Sequence, residues 1–228
     1  MIRPALALAA ALAVLPACGA ASLSDFSSSQ LTLDQQADGR IVVELSGSRG
    51  SCSTLNAEVR ATLNGRAMSV DFAGGEVASH QGWTCRAPQF SLSAAEAAGL
   101  TETDAVVVIE DGSATLELES ENFFAPRLLV ADRYEEDEKA GRKVMTFRWV
   151  PETDANRTAS WRLQGKSGNA QFGEARVDSD LVSIVLPPQA AERATLRMEG
   201  RAEAPVVRCQ GVAGCAATVR TSTGDLSI

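Results

Sequence analysis

Alternation of apolar and polar residues with a period of two runs through most of this chain, and it restricts the fold more than any motif does. In "ATLELES" Ala114, Leu116 and Leu118 fall on one side and Thr115, Glu117 and Glu119 on the other. "RIVVELS" sets Ile41, Val43 and Leu45 together in the same way. A helix would scatter both sets around its circumference, whereas a pleated strand separates them, one face towards a core and one towards water. The rhythm returns in "VMTFRWV" with Met145, Phe147 and Trp149, in "ASWRLQ" with Ala159, Trp161 and Leu163, and in "ATLRMEG" with Ala194, Leu196 and Met198. The expected class is all-β and antiparallel. "ADGR", "LNGR", "AGGE" and "EDGS" punctuate the strands, and their Asn-Gly and Asp-Gly pairs suit hairpins because both residues tolerate positive φ. Only "SAAEAAGL", residues 93 to 100, reads as a helix, with Ser93 to cap it and Gly99 to end it.

The rhythm breaks once, at "DRYEEDEKAGRK", residues 132–143, the most charged stretch of the chain. It reads as an acidic interdomain linker, with a long hairpin tip as the alternative. A length of 228 residues suits two small domains, predicted at 31–131 and 144–228. Turn signals about every ten residues in both halves suggest two antiparallel β-sandwiches in tandem. The pattern resembles tandem immunoglobulin-like or fibronectin-type domains; Cys52, Cys85 and Trp161 carry that resemblance, although the cysteine pair and the tryptophan fall in different halves.

Residues 1–17 hold one basic residue, Arg3, and then "ALALAAALAVL", an apolar run too short to span a bilayer. That is the anatomy of a cleaved signal peptide. Leu15, Pro16, Ala17 and Cys18 resemble the lipobox of bacterial lipoproteins. The resemblance implies that Cys18 becomes the first residue of the exported chain and carries the lipid, tying the protein to a membrane of the bacterial envelope. Gly19, in a position where Asp marks inner-membrane retention, favours the outer membrane. With more than one acyl chain such an anchor is effectively permanent. "GAASLSDFSSSQ" then reads as a flexible tether, so that residues 18–30 hold the folded part off the lipid.

Cys52, Cys85, Cys209 and Cys215 remain, an even number that would meet an oxidising compartment after export. Three connectivities are open, and pairing Cys52 with Cys85 and Cys209 with Cys215 keeps each bridge inside one half. The second bridge is expected to clamp the last hairpin and fix its register. A zinc site of four thiolates lacks the paired short ligand spacings.

Charge and motifs narrow the function classes. Lys and Arg total 21 against 29 Asp and Glu, a net charge of -8, so phosphate backbones repel the chain and nucleic acid is a poor partner. The single histidine, His80, stands in "EVASHQGW" with no Gly-x-Ser-x-Gly elbow anywhere, and it reads as solvated. No zinc ligand set can be drawn from one histidine, and "GSRGS" lacks the Lys and helix of a phosphate loop. Glu135, Glu136, Asp137 and Glu138, with Asp132, are weighed as a calcium site but lack an Asp-x-Asp loop. They read as solvated, and neither a metal nor a cofactor is expected.

The expectation is therefore a noncatalytic, lipid-anchored envelope protein that binds another protein or an envelope polymer, through loops on a rigid frame or through a strand edge. An envelope hydrolase with a site assembled from scattered residues is the alternative. A deep pocket gathering acids or a serine with a base would favour the enzyme. A flat surface around Trp83, or around Phe123 and Phe124, would favour binding.

Overall fold

Residues with the period-two pattern become strands that bury one face. Ile41, Val43 and Leu45 are buried in one strand, Leu116 and Leu118 in another, and Leu196, Met198, Ala202 and Ala204 in a third. The computed structural model describes residues 20–47, 52–80, 82–137, 142–152, 154–165, 168–186 and 194–228. Among these the chain is all-β, apart from a short 3-10 helix and one α-helical turn, α1 (Ala94–Ala97). Ser93 caps α1 in a reciprocal box with Glu96. Hydrogen bonds from the Ser93 hydroxyl and backbone hold the Glu96 carboxyl below its ordinary value.

The described strands form four sheets. The largest runs β14 (Ala170–Glu174), β13 (Ala155–Gln164), β17 (Thr195–Ala204), β19 (Gly214–Ser222), β1 (Gln30–Gln35), β2 (Ile41–Ser46), β8 (Gln89–Leu92) and β5 (Ser69–Phe72), with β20 (Leu226–Ser227) also on β17. A second sheet runs β18 (Val206–Gln210), β10 (Thr115–Ser120), β9 (Ala105–Glu110), β3 (Arg60–Leu63) and β4 (Arg66–Ala67). A third runs β11 (Leu128–Asp137), β12 (Arg142–Val150), β16 (Leu181–Leu186) and β15 (Arg176–Asp178). The fourth is the hairpin of β6 (Gly75–Ser79) and β7 (Gly82–Arg86). Asn64 and Gly65, both at positive φ, make the β3–β4 turn that the "LNGR" signal predicts.

Buried faces from the first three sheets join one hydrophobic core. Trp149 on β12 is fully buried and lies against β17 at Gly200, where a Cβ would collide with the indole ring. Only glycine permits that approach of ring to backbone.

Three expectations change. First, strands of the two halves are interleaved rather than separate. β1 runs parallel to β19, with Leu31 opposite Cys215 and Leu33 opposite Ala217, and β18 pairs with β10. Local hairpin signals cannot reveal a pairing between the first strand and the last long one, because it closes an edge left open by every local pairing. Secondly, 132–143 is not a linker. Asp132 lies within β11, and Arg133 to Asp137 pair with Arg142 to Thr146 of β12, with a bulge between Ala131 and Arg133. Arg133, Tyr134 and Glu135 of β11 are exposed, so the charges stay in water while the backbone stays paired.

Thirdly, the stretch expected as a tether is folded over its described part. Leu23 to Phe26 form the 3-10 helix, with Leu23, Phe26 and Ser29 buried. Asp111 fastens it: the carboxylate accepts from the Leu23 amide at 2.8 Å, the Asn56 amide group at 3.2 Å, and the Ser113 and Ala114 amides at 2.9 and 3.2 Å. Burial pushes the Asp111 pKa up, but hydrogen bonds from Ser113, Leu23 and Ala114 outweigh it and hold the carboxyl well below the ordinary 3.8. Because the folded pKa is depressed, this stabilisation is present above the unfolded value and is lost as pH falls below about 4. Asp111→Asn should cost roughly 1–3 kcal/mol at neutral pH and flatten the acid limb of a stability–pH curve. Superimposable acid limbs for the two proteins would contradict that role.

A fully buried ion pair sits where the halves meet. The side chains of Arg127 and Asp154 are 3% and 1% exposed. Arg127 Nε and Nη2 donate to Asp154 at 2.8 and 3.0 Å, and its remaining N–H groups reach the carbonyls of Asn122, Phe123 and Ala125 at 2.9 Å. The Trp149 indole donates to Asp154 Oδ2 at 2.9 Å, and Thr221 Oγ1 donates to the Arg127 carbonyl at 2.7 Å. All five guanidinium donors are thus used.

Candidate functional site

Strand alternation also decides what faces water, and on the outer face of β17 it sets Arg197, Glu199 and Arg201 in a row. Register then adds what no single strand shows. Arg201 lies directly opposite Arg220 of β19, and Arg197 directly opposite Arg162 of β13. Like charges opposed across strands destabilise a sheet by roughly 0.2–1 kcal/mol each. Beside these pairs is an open cleft of about 590 Å³ whose lining includes Arg157, Arg197, Arg201 and Arg220, together with Ser160 and Ser222. Two glutamates, Glu174 and Glu199, also line it, so the cleft is positive within a chain of net charge -8.

The acidic partners of these arginines are few and distant, although Arg220 Nε also donates to the Gln35 carbonyl at 2.9 Å. Asp34 of β1 serves both Arg220 at 3.6 Å and Arg201 at 3.9 Å, and Glu199 stands 3.7 Å from Arg197. Such separations exceed hydrogen-bond range, and exposed pairs of this kind contribute under about 1 kcal/mol. Arg157 is held from behind, donating to the carbonyls of Ser179, at 2.6 Å, and Glu152, while its Nε is buried with no hydrogen-bond partner. Arg162 lies over the exposed Phe172 ring, 5.4 Å from its centre. The arrangement presents planar guanidinium donors that a carboxylate or phosphate can engage in pairs.

The second exposed feature is the β6–β7 hairpin. Cys85 of β7 is bonded to Cys52, with Cα atoms 4.9 Å apart, which staples the hairpin to the loop after β2. Trp83, opposite Ala78 near the tip, is 72% exposed. His80 stands at the same tip, exposed. At the base Arg86 lies over the Phe72 ring at 4.8 Å.

The other predicted residues fall as follows. Cys18 lies outside the described residues. Cys209 and Cys215 are bonded, Cα atoms 5.7 Å apart, but they do not clamp a hairpin ladder: β18 pairs with β10, whereas β19 pairs with β17 and β1. The chain turns from one sheet to another at Gly211, at positive φ, so the bridge joins two sheets instead of setting a register. Phe123 is fully buried and meets Phe124 edge-on at 5.0 Å, so this pair belongs to the core and not to a surface patch.

Of the acidic run, Asp132 pairs with Arg148 at 3.4 Å and Glu135 with Arg133 at 3.0 Å, while Glu138 is outside the described residues. Bonding to Asp132 and the charges of Asp180 and Asp132 hold the Arg148 pKa above its ordinary value. Among the described residues no three His, Cys, Asp or Glu side chains gather as a metal site.

The arginines went unread in the sequence because Arg157, Arg197, Arg201 and Arg220 belong to three strands. The i, i+2, i+4 spacing of Arg197, Glu199 and Arg201 in "RMEGRAE" was the one available signal. No protein-family model and no curated protein matches the chain.

Proposed function

We propose that this chain is a noncatalytic, lipid-anchored envelope lipoprotein that binds an anionic partner, a polymer or protein bearing carboxylates or phosphates, in the arginine cleft. The observation that carries the reading is the direct opposition of Arg201 and Arg220 across β17 and β19, with Asp34 their shared neighbour. A sheet that tolerates this pair gains when an anion bridges it. An immunoglobulin-like β-sandwich whose two halves share one continuous sheet is the frame of this reading, and the β1–β19 pairing supports the shared sheet. The membrane would hold the protein through Cys18, in the outer membrane by the resemblance of Leu15 to Gly19.

Polyphosphate and polyglutamate serve as probes of the two anion chemistries. Binding of either by the mature protein at low salt should weaken at least tenfold, about 1.4 kcal/mol, in Arg197→Glu/Arg201→Glu. It should also weaken as salt shortens the Debye length. The variant should keep its melting temperature within a few degrees, because the relief of the Arg–Arg oppositions offsets the new repulsion from Glu199 and Asp34, and exposed charges contribute under about 1 kcal/mol each. Equal affinity in both proteins would refute the cleft as the site.

A further inference from the structure

We propose that the β6–β7 hairpin is the part of the protein that meets the bilayer, with Trp83 seated among the lipid headgroups beside the anchor. The inference rests on the reading of Cys18 as lipidated and adds the surface that faces the lipid. Since the folded chain begins by Ala21, at most three residues separate it from Cys18, a span of roughly 10 Å. A lipid on Cys18 would lie within that span of Ala21, and whatever lies next to Ala21 is held close to the membrane.

What lies next to Ala21 is the base of the hairpin. The Ala21 amide donates to the Thr54 carbonyl at 2.7 Å, and the Leu55 amide donates to the Ala73 carbonyl at 2.8 Å. Thr54 Oγ1 donates to the Gly74 carbonyl at 3.2 Å, one residue before β6 begins. Two chain spacings, about 10 Å, thus separate the start of the folded chain from the hairpin. The arginine cleft is at the other end of the β1–β2 pair: its lining includes Gln35 to Ala37 and Gly39, whereas the Leu45 amide donates to the Pro88 carbonyl on the hairpin side.

The chemistry of the hairpin fits a headgroup layer. Between Glu76 and Arg86 the sequence "VASHQGWTC" holds no Asp, Glu, Lys or Arg, although the chain as a whole is at -8. An acidic protein is repelled by anionic lipid, and this uncharged stretch adds nothing to that repulsion. Trp83 offers an indole with an apolar body and a polar N–H, the residue type enriched at membrane–water interfaces. The Cys52–Cys85 bond keeps the hairpin ordered, so little conformational freedom is lost on contact.

The test uses the mature chain from Cys18, coupled through that thiol to a maleimide lipid in phosphatidylcholine vesicles that carry a spin label near the headgroup. The four other cysteines are paired and do not react. On coupling, tryptophan emission should shift to shorter wavelength and be quenched by the lipid label, and both changes should disappear in Trp83→Phe. Of the other two tryptophans, Trp149 is fully buried and Trp161 is half-buried on β13, and both remain in Trp83→Phe, so loss of the changes there assigns them to Trp83. In parallel, the mass of the Cys18 peptide from envelope-purified protein reports the anchor itself. Lipid on Cys18 with Trp83 still quenched only by aqueous acrylamide overturns this inference alone. An unmodified Cys18 overturns the anchor reading and this inference with it.

Discussion

Asp154→Ala will destabilise the protein by about 3–5 kcal/mol, a large share of the roughly 5–15 kcal/mol that holds a domain folded. The substitution leaves the Arg127 guanidinium, 3% exposed, without its counter-charge, and leaves the Trp149 indole N–H without its acceptor. Arg127 cannot escape to water, because its other donors are committed to Asn122, Phe123 and Ala125. Removal of an exposed partner provides the scale: Asp132→Ala, which breaks the 3.4 Å pair with Arg148, should cost less than about 1 kcal/mol. Urea unfolding of both variants checks the pair of values. A loss below about 1 kcal/mol for Asp154→Ala would mean that Arg127 finds another partner.

The second large effect concerns the two halves. Expressed separately, 31–131 and 144–228 should each fail to fold cooperatively, showing neither a sharp melting transition nor protected amides. In the first half β1 loses β19 along one side and β10 loses β18, exposing Leu31, Leu33 and Leu118 at open edges. In the second, β19 loses β1, and the β18–β19 bridge would join a paired strand to one with no sheet to enter. Mixing the fragments should restore some native signal, since the interface is a set of backbone ladders. A fragment that melts cooperatively on its own would show that the halves are independent domains after all.

What could be read from the sequence was local. Period-two patterns placed Ile41, Val43, Leu45, Leu116, Leu118, Leu196 and Met198 inside correctly, because alternation has one consequence in a strand whatever its partner. The Ser93 cap and the Asn64–Gly65 turn were legible for the same reason. Long-range closure was not. Nothing in "QLTLDQ" announces a parallel partner some 180 residues later.

Composition misled twice. The serines of "GAASLSDFSSSQ" hid Leu23 and Phe26, although Ser22 and Asp25 already carried a capping-box spacing. The charges of 132–143 favoured the linker over the hairpin alternative, although Arg133 to Glu135 are exposed residues of a paired strand. The candidate site was the least legible part, since Arg201 and Arg220 become neighbours only through the register of β17 on β19.

The most direct test of the binding account is amide chemical-shift mapping of the mature protein during titration with polyphosphate and, separately, polyglutamate. The account predicts that at least one of them shifts a contiguous set of amides at residues 157–160, 197–201 and 220–222, that the shifts fade with added salt, and that Arg197→Glu/Arg201→Glu removes them. Shifts confined to other surfaces, or no saturable shifts with either polymer, would contradict it.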